Sequence, residues 1–296
     1  MTDVRESTQR RTLTTLSVSQ VVAGVGVAGA VPAGALLMFD VSGSEALSGL
    51  AQTFAVTGAA LMALPLSRLT SRGGRRRTVL TGYSIGAMGA FLAVLGGTVR
   101  VIPLILIGTM LAGAATAAAY QLRFAAVDLA EPSRRGRDLA IVMWASTIGS
   151  VLGPNLLGWS GHNAELLRLP ALVGPYLFSG TMLLAAAIVV FLFLRPDPYL
   201  VSVKLAGEEK PPAPRNFRHA LQLIRQSSAA KIALGAIVTG HIAMVGIMVM
   251  TPVHMKHVDV SLTVIGLVIS VHILGMYALA PVFGSLSDRW GRVRVI

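Results

Sequence analysis

The chain has 296 residues, 54% of them hydrophobic and 13% charged, with a mean hydropathy of +0.70 and a formal net charge of +12. A water-soluble domain carries about a quarter charged residues, so this composition excludes a soluble globular core and describes an all-α polytopic membrane bundle. There is no cysteine, which excludes disulfides, thiolate metal sites and a cysteine nucleophile.

A spanning helix needs about 20 mostly apolar residues. Eight such runs follow one another: 17–38, 46–66, 78–97, 102–122, 139–159, 172–194, 231–253 and 262–286. Helix is the expected conformation because lipid offers no partner to an open strand edge. Arg10 and Arg11 before the first run resemble the start of a twin-arginine leader. With seven further runs behind them, they read better as the flank of the first helix.

The 25 Lys and Arg divide unevenly between the two sides. Three precede residue 17, five lie in 67–77, four in 123–138, seven in 195–231 and three after 286. Only Arg100, Arg168 and Lys256 lie on the other side. The positive-inside rule makes the first side cytoplasmic, with the N-terminus inside a plasma membrane. The excess charge is then a membrane signature, and no nucleic-acid partner is needed to explain it. The expected partners are the lipid bilayer and a small solute or metal ion, with a monomer as the assembly.

The longest polar stretch, 194–226, is rich in proline and mixed charge, and 216–226 has the pattern of an amphipathic surface helix. The chain therefore divides into a six-helix bundle (1–194), a cytoplasmic linker (195–230) and two helices of a second, incomplete bundle (231–296). No His-Glu-x-x-His motif occurs, and the Gly-x-Ser-x-Gly match at Gly82–Gly86 lies inside the third apolar run, without the strand-to-helix turn that such a nucleophile needs.

Two loops repeat. "SRLTSRGGRRR" follows the second run and "GSLSDRWGRVR" the eighth, and aligning Gly74 with Gly291 pairs Arg72 with Arg289 and Arg75 with Arg292. In the second copy Gly284, Asp288, Arg289, Gly291 and Arg292 resemble the signature loop of the major facilitator superfamily, G-x-x-x-D-R-x-G-R-[RK]. The first copy departs from it at Ser67 and Ser71. The resemblance implies the major facilitator fold of twelve helices, of which about eight are present, so four more are expected beyond this chain. It also implies that these loops act as a gate between inward-open and outward-open states.

In the fifth run, "GSVLGPNLLG" presents Gly149 and Gly153 as a small-residue face and Pro154 as a bend. It is similar to the superfamily's antiporter-associated fifth-helix motif, with Leu157 as a departure. The fourth run has Thr109 where many drug/proton exchangers of the family carry an arginine.

Half of all Met and His lie between 241 and 276. Met244 and Met248 are one helical turn apart, with His241 three residues earlier, and His272 and Met276 repeat the spacing on the next helix. Thioether and imidazole donors select copper, Cu(I) above all. A methionine stripe equally serves to fill an apolar core. The M-x-x-x-M and H-x-x-x-M pair resembles the CcoA-type copper importers of the superfamily. That resemblance implies copper uptake, with copper as substrate and no resident cofactor. The alternative is a proton-coupled exporter of drugs or other small organic molecules, with Asp40 and Glu45 as candidate titrating groups near the outer boundary. His254, Met255 and His257 read as interfacial residues at the outer end of the seventh helix.

Overall fold

The computed structural model describes residues 2–131, 134–206, 217–278, 282, 286 and 290. Among them the secondary structure is helical throughout. The helices are α1 (Thr2–Ser42), α2 (Glu45–Ser48), α3 (Leu50–Thr98), α4 (Ile102–Ala125), α5 (Arg135–Asn155) and α6 (Leu157–Leu166). After a 3-10 turn at Ala171–Val173 come α7 (Gly174–Phe193), α8 (Pro198–Ala206), α9 (Phe217–Gln226), α10 (Ser228–His257) and α11 (Leu262–Ala278).

Helix α3 has 49 residues, yet it crosses the bundle twice. Gly74 adopts φ 84° and ψ 175° inside it, a conformation that L side chains avoid. The chain folds back there. Thr70 Oγ1 lies 2.9 Å from Thr78 Oγ1, and the Thr78 hydroxyl reaches the Leu66 carbonyl at 3.5 Å. A straight helix would hold residues 66 and 78 about 18 Å apart. The two arms, α3a (50–73) and α3b (75–98), are the second and third expected spans. The expected loop at 67–77 is therefore corrected to a single glycine turn between helices.

Five described helices are long and apolar enough to cross a membrane, and six when α5 and α6 count as one span bent by 53°. Dividing α3 at Gly74 and adding the shorter apolar helix α11 gives the eight expected runs. Two limits need correction. Helix α1 extends well before residue 17, because its polar first turns find partners on the 126–138 segment: Gln9 Nε2 donates to the Ala126 carbonyl and to Asp138. The fifth run ends at Asn155 instead of 159, two residues short of where α6 sets off in a new direction, next to Pro154.

Helix α1 runs through the middle, against α3, α4, α5 and α7. Its two halves feed separate cores, one around Leu16, Tyr83, Leu122 and Leu183 and one around Leu36, Leu37, Met38 and Ile105. Helices α10 and α11 rest on this body at one end. Val249 and Val253 pack on Ala35, and Ile265 enters the second core. The Ser270 hydroxyl donates to the Val151 carbonyl at 2.7 Å and accepts from Asn155 at 2.7 Å. The expected surface helix at 216–226 is present as α9.

Candidate transport cavity

Alanines build the main cavity. Ala51, Ala55, Ala59 and Ala63 repeat every fourth residue along α3a, so they share one face. Opposite them, α4 contributes Ala112, Gly113 and Thr116, and α1 contributes Val27, Ala30 and Val31. Short side chains on facing helices leave about 520 Å³ between them. Polar groups are few and spaced: Gln52, Thr109, Thr116, Tyr120, Gln121, Tyr176, Ser179 and, from α10, His241.

A second cavity of about 230 Å³ lies between α1, α4, α5, α10 and α11. The two share Val27, Val31, Thr116 and Tyr120, so they are neighbouring parts of one central space. Among the described residues no Asp or Glu lines either part, and Arg123 is the single Lys or Arg in the lining; its guanidinium stacks over Tyr120 at 4.9 Å, and its Nε is buried without a hydrogen-bond partner among them. Arg123 and the alanine face were not singled out in the sequence. Arg123 had counted only as flanking charge, and the one available signal was the fourfold alanine spacing.

The structure divides the expected Met/His group. Met244, Met248 and Met276 line the smaller cavity together. His272 is not in that lining, and its Nε2 is buried without a partner elsewhere in α11. His241 lines the larger cavity instead. The reason is helical geometry: three residues before Met244 is 60° off its direction, and here that angle crosses from one cavity to the other. Among the described residues no group of three or more His, Asp or Glu is arranged to hold a metal ion.

At the end of α10 His257 pairs with Glu45 at 3.4 Å and stacks edge-on against Phe39, while Met255 packs into the second core. Asp40 is bridged by Arg100 at 2.9 Å. Those side chains are occupied at the boundary, away from both cavities.

The arginine-rich turn is a linked polar cluster. Arg75 forms a two-pronged ion pair with Asp128, Nε at 2.9 Å and Nη2 at 3.1 Å, and Nη1 donates to Gln121 at 2.6 Å. Both charged side chains are nearly buried, at 11% and 12% exposure. Gln121 also lines the main cavity, so the turn touches the central space through one side chain. Beside it, Asp197 accepts from the Arg76 backbone N–H at 2.8 Å and from the first N–H groups of α8, at Tyr199 and Leu200. Arg76 closes the end of α7 by donating to the Phe191 carbonyl. Arg72 lies on α3a, one turn before these groups. The second copy of the loop, with Gly284, Asp288, Arg289, Gly291 and Arg292, lies outside the described residues.

Gly149 and Gly153 face α1. A Cβ on Gly149 would collide with the Val21 carbonyl and Gly24, and one on Gly153 with the Val25 carbonyl and Gly29. The two backbones touch, and Pro154 follows them directly at the bend between α5 and α6.

The sequence pattern of the Major Facilitator Superfamily matches residues 16–296. The chain belongs to that family. It is 35% identical over 288 residues to YdeG, an uncharacterized MFS-type transporter of Bacillus subtilis, covering 97% of this chain and 67% of that protein. It is 34% identical over 285 residues to a second uncharacterized MFS-type transporter of Bacillus subtilis, YddS, covering 96% and 65%. The riboflavin transporter RfnT of Brucella anthropi is more distant, 24% identical over 295 residues, covering 100% and 71%. The chain thus spans about two thirds of the length of the curated relatives it matches. As a superfamily member it is a multi-pass membrane protein of a transporter family, not an enzyme. These relatives support the superfamily and not its copper-importing branch.

Proposed function

We propose that this chain forms most of an alternating-access transporter whose substrate is a small, ring-containing organic molecule, neutral or anionic. The observation that carries the reading is the lining of the central space: apolar walls, spaced hydrogen-bonding groups, Arg123 and, among the described residues, no carboxylate. An apolar pocket with a few placed polar groups is how proteins hold small organic ligands. The Tyr120 ring held by Arg123 offers a flat surface beside a positive charge. A distant relative named as a riboflavin transporter is consistent with a ring-containing cargo.

In this reading the arginine-rich end faces the cytoplasm, as the positive-inside rule requires. The Arg72, Gly74 and Arg75 turn, together with the second loop copy, biases the inner gate. Rocking of one bundle on the other opens the central space to each side in turn. Gly149, Gly153 and Pro154 hold the α1–α5 contact rigid during that motion. The test is flux of labelled anionic, neutral and cationic aromatic solutes in cells expressing the full protein that contains this chain. Flux of an anionic solute reduced about tenfold by Arg123→Gln, the worth of one charge-assisted hydrogen bond, supports the reading. Flux confined to cations overturns it.

Copper uptake is the second reading, favoured by the three thioethers of Met244, Met248 and Met276 in one cavity. The Arg123 charge in the same lining opposes it, since no carboxylate among the described residues there offsets the repulsion of a monovalent cation. Radiocopper uptake that falls with Met244→Leu plus Met248→Leu and rises with Arg123→Gln would reinstate copper. Uptake indifferent to both would remove it.

A further inference from the structure

Away from the central space, at the arginine-rich end, two more cavities of about 670 Å³ each lie against α1 and α5. They differ in character. The first is lined by Glu6, Arg10, Glu131, Arg134, Arg137 and Asp138, with Gln9 among them. The second is an open groove of Val18, Val21, Val22, Ile141, Trp144 and Ile148. They share Ser17, Val18, Arg137 and Ile141, so a charged chamber opens directly into an apolar channel along the bundle. On α5, Ile141, Trp144 and Ile148 lie on the opposite flank from Ser146 and Ser150, which line the central space. The groove therefore faces away from the transport path, towards lipid.

The charges in the chamber do not simply cancel in pairs. Arg10 pairs with Glu6 at 3.2 Å, and Arg134 with Glu6 at 3.5 Å and Glu131 at 3.6 Å. Arg137 and Asp138 belong to none of the ion pairs among the described residues. One positive and one negative group are left over. Gln9, only 8% exposed, donates its Nε2 to Asp138 at 2.7 Å and to the Ala126 carbonyl at 2.8 Å, while its Oε1 is buried without a partner. At the junction the Ser17 hydroxyl is likewise buried without a partner. A buried acceptor left bare is costly, so a ligand donor at Gln9 is worth more than its single hydrogen bond suggests.

We propose that this chamber and groove bind a phosphatidylethanolamine molecule from the surrounding membrane. Its phosphate sits between Arg137 and the Ser17 hydroxyl, its ammonium donates to Gln9 Oε1 and Asp138, and one acyl chain fills the α1–α5 groove beside Trp144. The leftover charges match a zwitterion. A choline head has no N–H to give Gln9, and a phosphatidylglycerol head leaves Asp138 uncompensated.

Trp144 is the reporter. The full protein that contains this chain, with Trp159→Phe, Trp290→Phe and any tryptophan beyond this chain likewise replaced, is titrated in detergent with phospholipids brominated on the acyl chain, which quench tryptophan on contact. The expected result is saturable quenching by the ethanolamine lipid at about one tenth the concentration needed for the choline lipid, equivalent to one charge-assisted hydrogen bond. Gln9→Leu should abolish that preference, and Arg137→Gln should weaken both lipids about equally, while helix content is retained. Equal quenching by both lipids, strongest quenching by the glycerol lipid, a preference that survives Gln9→Leu, or binding of either lipid left unchanged by Arg137→Gln overturns the proposal. So does displacement of the lipid by soluble glycerophosphoethanolamine at matched concentration, because the groove would then contribute nothing.

Discussion

Helices α1 and α10 are equally qualified to cross a membrane, yet within this chain, which spans about two thirds of the length of its relatives, only α1 is enclosed by other helices. In the most apolar stretch of α1, 67% of the residues are buried; in that of α10 only 6% are. Both contain glycines. Those of α1 touch neighbours: Gly24 and Gly29 meet α5, and Gly26 meets Met182 and Ser179 of α7. A Cβ built on Gly235, Gly240 or Gly246 of α10 meets nothing within 4 Å. Hydropathy places a helix in lipid, but lipid is as apolar as leucine and gives no drive towards burial. Close backbone approach supplies the packing energy instead. The six-helix body has those seams, and α11 shares one with it where Gly266 meets the Pro154 carbonyl; α10 touches the body mainly through Val249 and Val253.

Thermal unfolding of this chain in detergent tests that contrast. The largest effect is expected at the polar clamp of the packed body. Arg75→Ala leaves Asp128 nearly buried and unpaired, a loss of about 3 kcal/mol. Next comes the seam: Gly153→Leu forces α5 off α1 and should cost about 2 kcal/mol. Gly74→Ala comes third, at about 1 to 2 kcal/mol, because φ 84° disfavours a Cβ and the Asp197 carboxylate occupies its place. Measured against Asp197→Ala alone, which removes the obstructing carboxylate, Gly74→Ala should cost only the backbone part, and that separates the two causes. Smallest is Gly246→Leu on α10, within about 0.5 kcal/mol of the parent. A loss there as large as at Gly153 would mean that α10 is packed after all and would break the comparison.

Much of the architecture was readable in the residues. Eight apolar runs, the one-sided arginines and the repeated Gly-Arg loop led to the superfamily because each depends on local composition and spacing alone. The small-residue face of Gly149 and Gly153 was visible for the same reason, although its partner, α1, was not. The central space was less legible. Its walls are alanines, which carry no chemical signal, and its one charged group, Arg123, is indistinguishable in sequence from the flanking arginines around it. The Met/His group went the other way. Spacing put five donors on two helices, and the fold distributed them over two cavities and a buried position beside neither.

The residue order by itself determined that the chain lies in a membrane, how often it crosses and where it turns, since those outcomes follow from transfer of side chains out of water and from glycine's access to positive φ. Only the tertiary structure decided which helix faces meet, which arginine stands inside the central space, and where an unpaired acceptor such as Gln9 opens beside an apolar groove. Those depend on rotations of one helix against another by fractions of a turn, and a small change of that kind moves a side chain from one cavity to the next.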